Sequence, residues 1–217
     1  MTIRLLRLLL FFGGLICFGL GNALAVQVKF LGIHPWEVLN VALYQKFGLT
    51  IGTWSVLCGL FLVCISLFTA RHYISVGTFL NALLIGPIMD FFLWSGWLPH
   101  ATHTWMDYLI LLAGILITGI GGGMYVAGGL GAGPRDGFML SISEKTGLSV
   151  SRARMVVESV VLVIGFLLGG PVFIVTFLYT FIQSPVFQQS LKIFRALLAR
   201  LNQQQKQSSA ESISKLS

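Results

Sequence analysis

Apolar residues along this chain come in long unbroken runs rather than in alternating or striped patterns. Residues 51–70 and 108–127 are each twenty positions without a charge, enough as helix to cross the roughly 30 Å of a bilayer's hydrocarbon. Neither run alternates polar with apolar positions, which argues against a porin-like barrel. The pattern predicts six spanning helices, at residues 5–26, 51–70, 75–98, 106–127, 155–168 and 172–194. The fifth has the shortest apolar core, and residues 148–154 can lengthen it. Gly169-Gly170-Pro171 turns the chain into the sixth, since glycine tolerates the turn and proline suits a first helical position. Two further segments, Pro35–Phe47 and Pro134–Thr146, are too brief to cross and carry polar residues. Each opens on proline and stops before a glycine, Gly48 or Gly147. The first places Trp36, Leu39, Leu43 and Phe47 along one side. Both are expected to be interfacial or re-entrant helices.

The same pattern occurs twice, about a hundred residues apart. Leu31-Gly32-Ile33-His34-Pro35-Trp36-Glu37 matches Leu130-Gly131-Ala132-Gly133-Pro134-Arg135-Asp136, and Lys46-Phe47-Gly48-Leu49-Thr50 matches Lys145-Thr146-Gly147-Leu148-Ser149. Gly14, Gly19 and Gly21 are echoed by Gly114, Gly119 and Gly121. Thr78-Phe79-Leu80 and Pro87 are echoed by Thr176-Phe177-Leu178 and Pro185. The chain therefore divides into a first repeat at 1–100, a second at 101–201, and a polar, glutamine- and serine-rich stretch at 202–217 expected to be a disordered cytoplasmic tail. Three crossings per repeat is an odd number, so the second repeat enters from the opposite face. The expected fold is an all-α membrane protein of six helices in two inverted three-span repeats, each with one short helix.

Composition agrees with the membrane class: 56% of residues are hydrophobic and 10% charged, against about 25% charged in soluble domains. The net charge of +7 invites a nucleic-acid reading, which its distribution rejects. With the N-terminus inside, Arg4, Arg7, Arg71, Arg135, Lys145, Arg152, Arg154, Lys192, Arg195, Arg200, Lys206 and Lys215 fall on the cytoplasmic side. Lys29 and Lys46 alone fall outside, 2 of the 14 basic residues. This is the positive-inside asymmetry that sets orientation, with both termini cytoplasmic. Arg4, Arg7 and the later Ala23-Leu24-Ala25 also fit a cleavable secretory signal. The repeat favours a retained span, because a cleaved segment would have no reason to mirror a retained helix. Cys17, Cys58 and Cys64 all fall in apolar runs and read as buried small hydrophobes, without disulfide or metal spacing.

Ionisable groups inside apolar runs are rare and expensive, so the few here are the candidate chemistry. Asn81, Pro87 and Asp90 lie on the third predicted span, and Gln183 and Pro185 on the sixth. Two prolines at matching positions point to broken helices and a binding site between the repeats. Asn81 and Asp90 face opposite ways on an ideal helix and share a face only if Pro87 breaks it; otherwise Asp90 is an interfacial cap. Glu158 is a coupling candidate, or else simply an i,i+4 partner of Arg154. In the repeated motif, Pro35, Glu37, Pro134, Arg135 and Asp136 form helix starts where a carboxylate serves as a cap. The functional alternative makes each motif a gate at one mouth. His100 and His103 alone make no metal site, and no cofactor is expected. No catalytic constellation emerges, so an enzyme is not expected.

The block Gly131-Ala132-Gly133-Pro134-Arg135-Asp136-Gly137, followed by Lys145-Thr146-Gly147-Leu148-Ser149, resembles the YczE/YitT group of bacterial integral membrane proteins. Phe79-Leu80-Asn81-Ala82-Leu83-Leu84-Ile85-Gly86-Pro87 resembles a second block of the YczE-like members. Members commonly carry tryptophan between the proline and the acid. Pro35-Trp36-Glu37 keeps that pattern, and Arg135 departs from it. The resemblance implies a bacterial cytoplasmic-membrane protein and no established substrate. The leading expectation is a secondary transporter of a small molecule or ion, with its site at the repeat interface. The rival is a membrane accessory or scaffold protein that acts through protein partners. The bilayer is the expected surrounding, nucleic acid is not a partner, and homo-oligomers are compatible with the pattern.

Overall fold

The computed structural model describes residues 3–69 and 71–214. Ala70, which ends the second predicted span, and residues 215–217 of the predicted tail lie outside the described residues. The described chain folds as helices α1 (Ile3–Gln27), α2 (Pro35–Phe47), α3 (Ile51–Thr69), α4 (Val76–Trp94), α5 (Met106–Gly128), α6 (Pro134–Thr146), α7 (Val150–Leu167) and α8 (Ile174–Ser214). Four of them, α1, α3, α4 and α5, are long and apolar enough to cross a membrane. The segments predicted as fifth and sixth spans are more polar, because α7 carries Arg152, Arg154 and Glu158 and α8 carries Gln183, Gln188 and Gln189.

The short helices have the bounds that their proline and glycine signals predict. His34 Nδ1 accepts the Trp36 N–H at 3.3 Å, Pro35 occupies the first turn, and Gly48 ends α2 with φ +74°. Pro134 and the left-handed Gly147 do the same for α6. The first half of α2 is buried all round: Pro35, Trp36, Glu37, Val38, Asn40, Val41 and Ala42 are inside, and its last turn is exposed. The single stripe expected from Trp36 to Phe47 is therefore replaced by insertion of one end. The Ser149 hydroxyl accepts the Arg152 N–H at 3.4 Å and starts α7 at Val150, lengthening the short fifth apolar core.

Two sequence expectations change here. Pro87 and Pro185 do not break their helices; α4 and α8 run through them, and both prolines sit on exposed outer faces. A proline there can lose one ladder hydrogen bond without disturbing the helix–helix contacts on the opposite side. The helix α8 also continues through Ser214, where composition predicts a disordered tail. No proline or glycine follows Pro185, and glutamine, lysine and alanine are compatible with helix.

The helices α1 and α5 form the centre of the packing. Gly14 abuts Gly121 and Tyr125, while Gly21 abuts Gly114 and Thr118. The contact advances along one helix as it retreats along the other, so the two run antiparallel. Around them α4 packs on α1 and α3, α8 packs on α5, α2 on α7, and α6 on α3. Tyr179, Met89, Ile115, Leu111 and Val28 fill the largest buried cluster.

The two copies of the Leu-Gly motif dock on the starts of helices from the other half. Ser75 Oγ donates to Leu130 O at 2.7 Å, Gly77 N to Leu130 O at 3.2 Å, and Thr78 Oγ1 to Ala132 O at 2.8 Å. In the first copy, Gly32 lies against Thr176 and Phe173 at the start of α8. Gly32 and Gly131 have φ of +102° and +143°. Both glycines are required by conformation as well as by the closeness of the helix they touch.

Candidate functional site

The first turns of α2 and α6 bring both motif carboxylates beside one cavity, each paired with a guanidinium. The Arg135 guanidinium donates to Glu37 Oε1 from Nη1 and Nη2, each at 3.2 Å, and to Ser55 Oγ at 3.4 Å. It lies 5.1 Å from the Trp36 ring centre, a cation–π distance. Glu37 is 1% exposed, and its other oxygen accepts from Asn40 Nδ2 at 3.0 Å. Asp136, the repeat mate of Glu37, accepts from Arg154 Nη2 at 2.9 Å and from Tyr125 Oη at 3.1 Å.

The third carboxylate is held differently. Glu158 accepts from Thr180 Oγ1 at 2.9 Å and lies 3.7 Å from His34 Nε2. His34 Nδ1 accepts the Trp36 N–H, which puts the proton of a neutral ring on Nε2, facing Glu158. Burial first, then the Arg135 and Arg154 charges, hold His34 well below the usual imidazole range. His34 is thus neutral near pH 7, and its contact with Glu158 is dipolar rather than an ion pair.

These groups wall a cavity of about 90 Å³, with Asn81, Tyr125, Gly133, Gln183 and Ser184 on its polar sides and Phe18, Ile85 and Phe187 on its apolar ones. That is room for about three waters or a few non-hydrogen atoms. The structure brings together Asn81, Pro134, Arg135, Asp136, Glu158 and Gln183 as lining residues. Glu37 sits directly behind Arg135, and Pro35 is buried at the start of the same helix. The expected local pair of Arg154 with Glu158 is replaced by the tertiary pair of Arg154 with Asp136.

Pro87, Asp90 and Pro185 lie elsewhere. With α4 unbroken, Asp90 faces away from Asn81, accepts the Gly52 N–H at 2.9 Å and the Thr50 hydroxyl, and so caps the start of α3. Asp90→Ala is expected to destabilise the protein by about 1 kcal/mol while leaving the cavity's properties unchanged. Melting in detergent measures the first, and ligand or label access to the cavity the second.

Sequence reasoning missed His34, Trp36, Ser55 and Tyr125 as site residues and placed Arg154 only as a neutraliser. The repeat held the signal. Trp36 aligns with Arg135, Ser55 with Arg154, and His34 with Gly133, and all six positions line the cavity.

A family model described as a family of unknown function (DUF6198) matches residues 5–192. An uncharacterized membrane protein, YczE, of Bacillus subtilis (strain 168) is 36% identical over 200 residues, covering 90% of this chain and 92% of its own. An uncharacterized protein of Haemophilus influenzae is 33% identical over 181 residues, covering 82% of this chain and 80% of its own. The uncharacterized protein YyaS of Bacillus subtilis (strain 168) is 28% identical over 167 residues, covering 76% and 82%. No solved structure matches. The apolar helices agree with a membrane-protein relative, and the chain belongs to the DUF6198 family.

Proposed function

We propose that the protein is a secondary transporter of a small molecule or ion in the bacterial cytoplasmic membrane, with the central cavity as its site. The observation that carries this reading is the cavity itself. Charged and amide side chains from both halves converge there on a space of about 90 Å³, where packing alone would call for apolar residues. In this reading α7 and α8 are the fifth and sixth spans, and their low apolarity is a consequence of lining the site. A helix of 41 residues is about 60 Å long at 1.5 Å per residue, so α8 crosses the bilayer and extends beyond it on the cytoplasmic side.

Inverted repeats are supported by reciprocal contacts. Under a two-fold relation, if residue i touches the mate of j, then j touches the mate of i. Gly14 touches Gly121 and Gly21 touches Gly114; α2 packs on α7 and α6 on α3; each Leu-Gly loop meets the start of the other half's last helix. The buried first half of α2, and the buried Pro134, Gly137, Met139 and Ser141 of α6, favour re-entrant over interfacial helices. Glu158, without a guanidinium of its own, is the coupling group in this scheme.

The test needs no known substrate. In a protein whose Cys17, Cys58 and Cys64 are replaced by serine, Ser184→Cys places one thiol in the cavity wall. Alternating access predicts that a membrane-impermeant maleimide labels it in right-side-out and in inside-out vesicles. Labelling from one side only, or from neither, would count against transport and favour the accessory role.

A further inference from the structure

The cavity's charges are not balanced. Arg135 and Arg154 face three carboxylates, and each guanidinium is already committed, Arg135 to Glu37 and Arg154 to Asp136. Glu158 has a hydroxyl and a neutral imidazole for company and is only 8% exposed. A buried carboxylate without a cation is costly. With all three acids ionised, the cavity carries one negative charge in excess.

Its hydrogen bonds are unbalanced in the opposite sense. Asn81 Nδ2 and Trp36 Nε1 are N–H donors with no acceptor among the described residues, and their side chains belong to residues 4% and 3% exposed that line the cavity. Buried donors of this kind are normally satisfied. Gly133 packs tightly against Asn81 and Tyr125 in the cavity wall. A Cβ there would lie 2.9 Å from Tyr125 Oη and 3.2 Å from Asn81 Oδ1. Gly133 has φ −63°, which any residue adopts, so the backbone does not require glycine at this position; the tight packing does.

We propose that the site takes a small organic monocation: a protonated amine seated on Glu158, and a neutral oxygen acceptor that receives the N–H groups of Asn81 and Trp36. Phe18 and Phe187 provide the apolar wall for the carbon between the two ends. The cavity's volume limits the ligand to a few non-hydrogen atoms. This assignment rests on the transport reading and names its substrate class. Organic anions are excluded by the surplus carboxylate, and amines without an acceptor leave both donors unpaired.

The experiment is calorimetric titration of the full chain in lipid nanodiscs with six probes. Glycinamide and ethanolamine have both required ends; methylamine lacks the acceptor, acetamide lacks the charge, glycine is zwitterionic and acetate is an anion. Glycinamide or ethanolamine is expected to bind, and Glu158→Gln and Asn81→Leu each to weaken it about tenfold or more. Glu158→Gln should melt no lower than the parent protein, because it removes an uncompensated charge; this separates lost binding from lost folding. Preference for acetate or glycine, equal affinity for methylamine and glycinamide, or binding indifferent to Glu158→Gln would each overturn the assignment. Absence of binding by all six probes would overturn the ligand class too. In that case two-sided labelling of Ser184→Cys would leave transport standing, and one-sided labelling would remove both.

Discussion

Arg135→Ala is expected to be the most destabilising single change among the charged residues of the cavity, costing about 3–5 kcal/mol. The reason lies in the asymmetry of the pair. Arg135 is partly accessible, with its side chain 21% exposed, whereas Glu37 is 1% exposed. Removing the arginine strands the buried partner with one amide donor, from Asn40. It also removes the cation from the face of Trp36 and the donor from Ser55. Adding Glu37→Gln to Arg135→Ala should restore much of the loss, because the stranded charge causes most of it. Glu37→Gln alone should cost less than Arg135→Ala, since the guanidinium it leaves behind can reach water. Melting temperatures of the four proteins in one detergent form the double-mutant cycle. Equal losses for the two single changes, with no recovery in the double, would show that the pair acts through packing rather than charge.

That prediction was only half visible in the sequence. Arg135, Glu37, Asp136, Glu158, Asn81 and Gln183 stand out as polar groups in an apolar chain, because such groups are expensive in a bilayer and therefore few. Which of them meet is a separate matter. Glu37 and Arg135 are separated by 98 residues, and helical periodicity governs only neighbours three or four positions apart. Periodicity accordingly pairs Arg154 with Glu158, one turn away, while the folded chain pairs Arg154 with Asp136 across the α6–α7 corner. The local rule loses because a partner held by its own helix start costs less to engage.

The elements themselves were more legible. Proline at the first turn and glycine past the last one delimit α2 and α6, since these residues act through their own backbones and need no tertiary context. The same residue type misleads at Pro87 and Pro185. There proline's effect depends on which face of the helix it occupies, and an exposed face absorbs it. Asp90 follows from that: an unbroken α4 turns it away from Asn81 and onto the first turn of α3. The expected grouping of Asn81, Pro87 and Asp90 thus separates into a cavity residue, an outer-face residue and a cap.

The α1–α5 crossing should be the least tolerant surface in the molecule. A Cβ built at Gly14 would lie 2.4 Å from the Tyr125 backbone nitrogen, one at Gly121 2.5 Å from that of Phe18, and one at Gly21 2.5 Å from that of Thr118. No side-chain rotation relieves a clash with backbone, so the helices must separate, and packing is the main attraction between helices in lipid. Overpacking ordinarily costs about 1–3 kcal/mol, and here the displaced partner is the helix that carries Tyr125, the hydroxyl donor to Asp136. Alanine at Gly14, Gly21 or Gly121 should therefore cost at least that much and disturb the cavity as well, seen as lower stability together with altered labelling of Ser184→Cys. Gly14→Ala and Gly121→Ala press on the same contact, so their double variant should lose less than the sum of the two. Gly14→Ala and Gly21→Ala press on contacts about two turns apart and should come closer to adding. Free addition of Gly14→Ala and Gly121→Ala would mean that these two glycines do not face one another. That result would also remove the reciprocal contact on which the inverted-repeat reading of the fold chiefly depends.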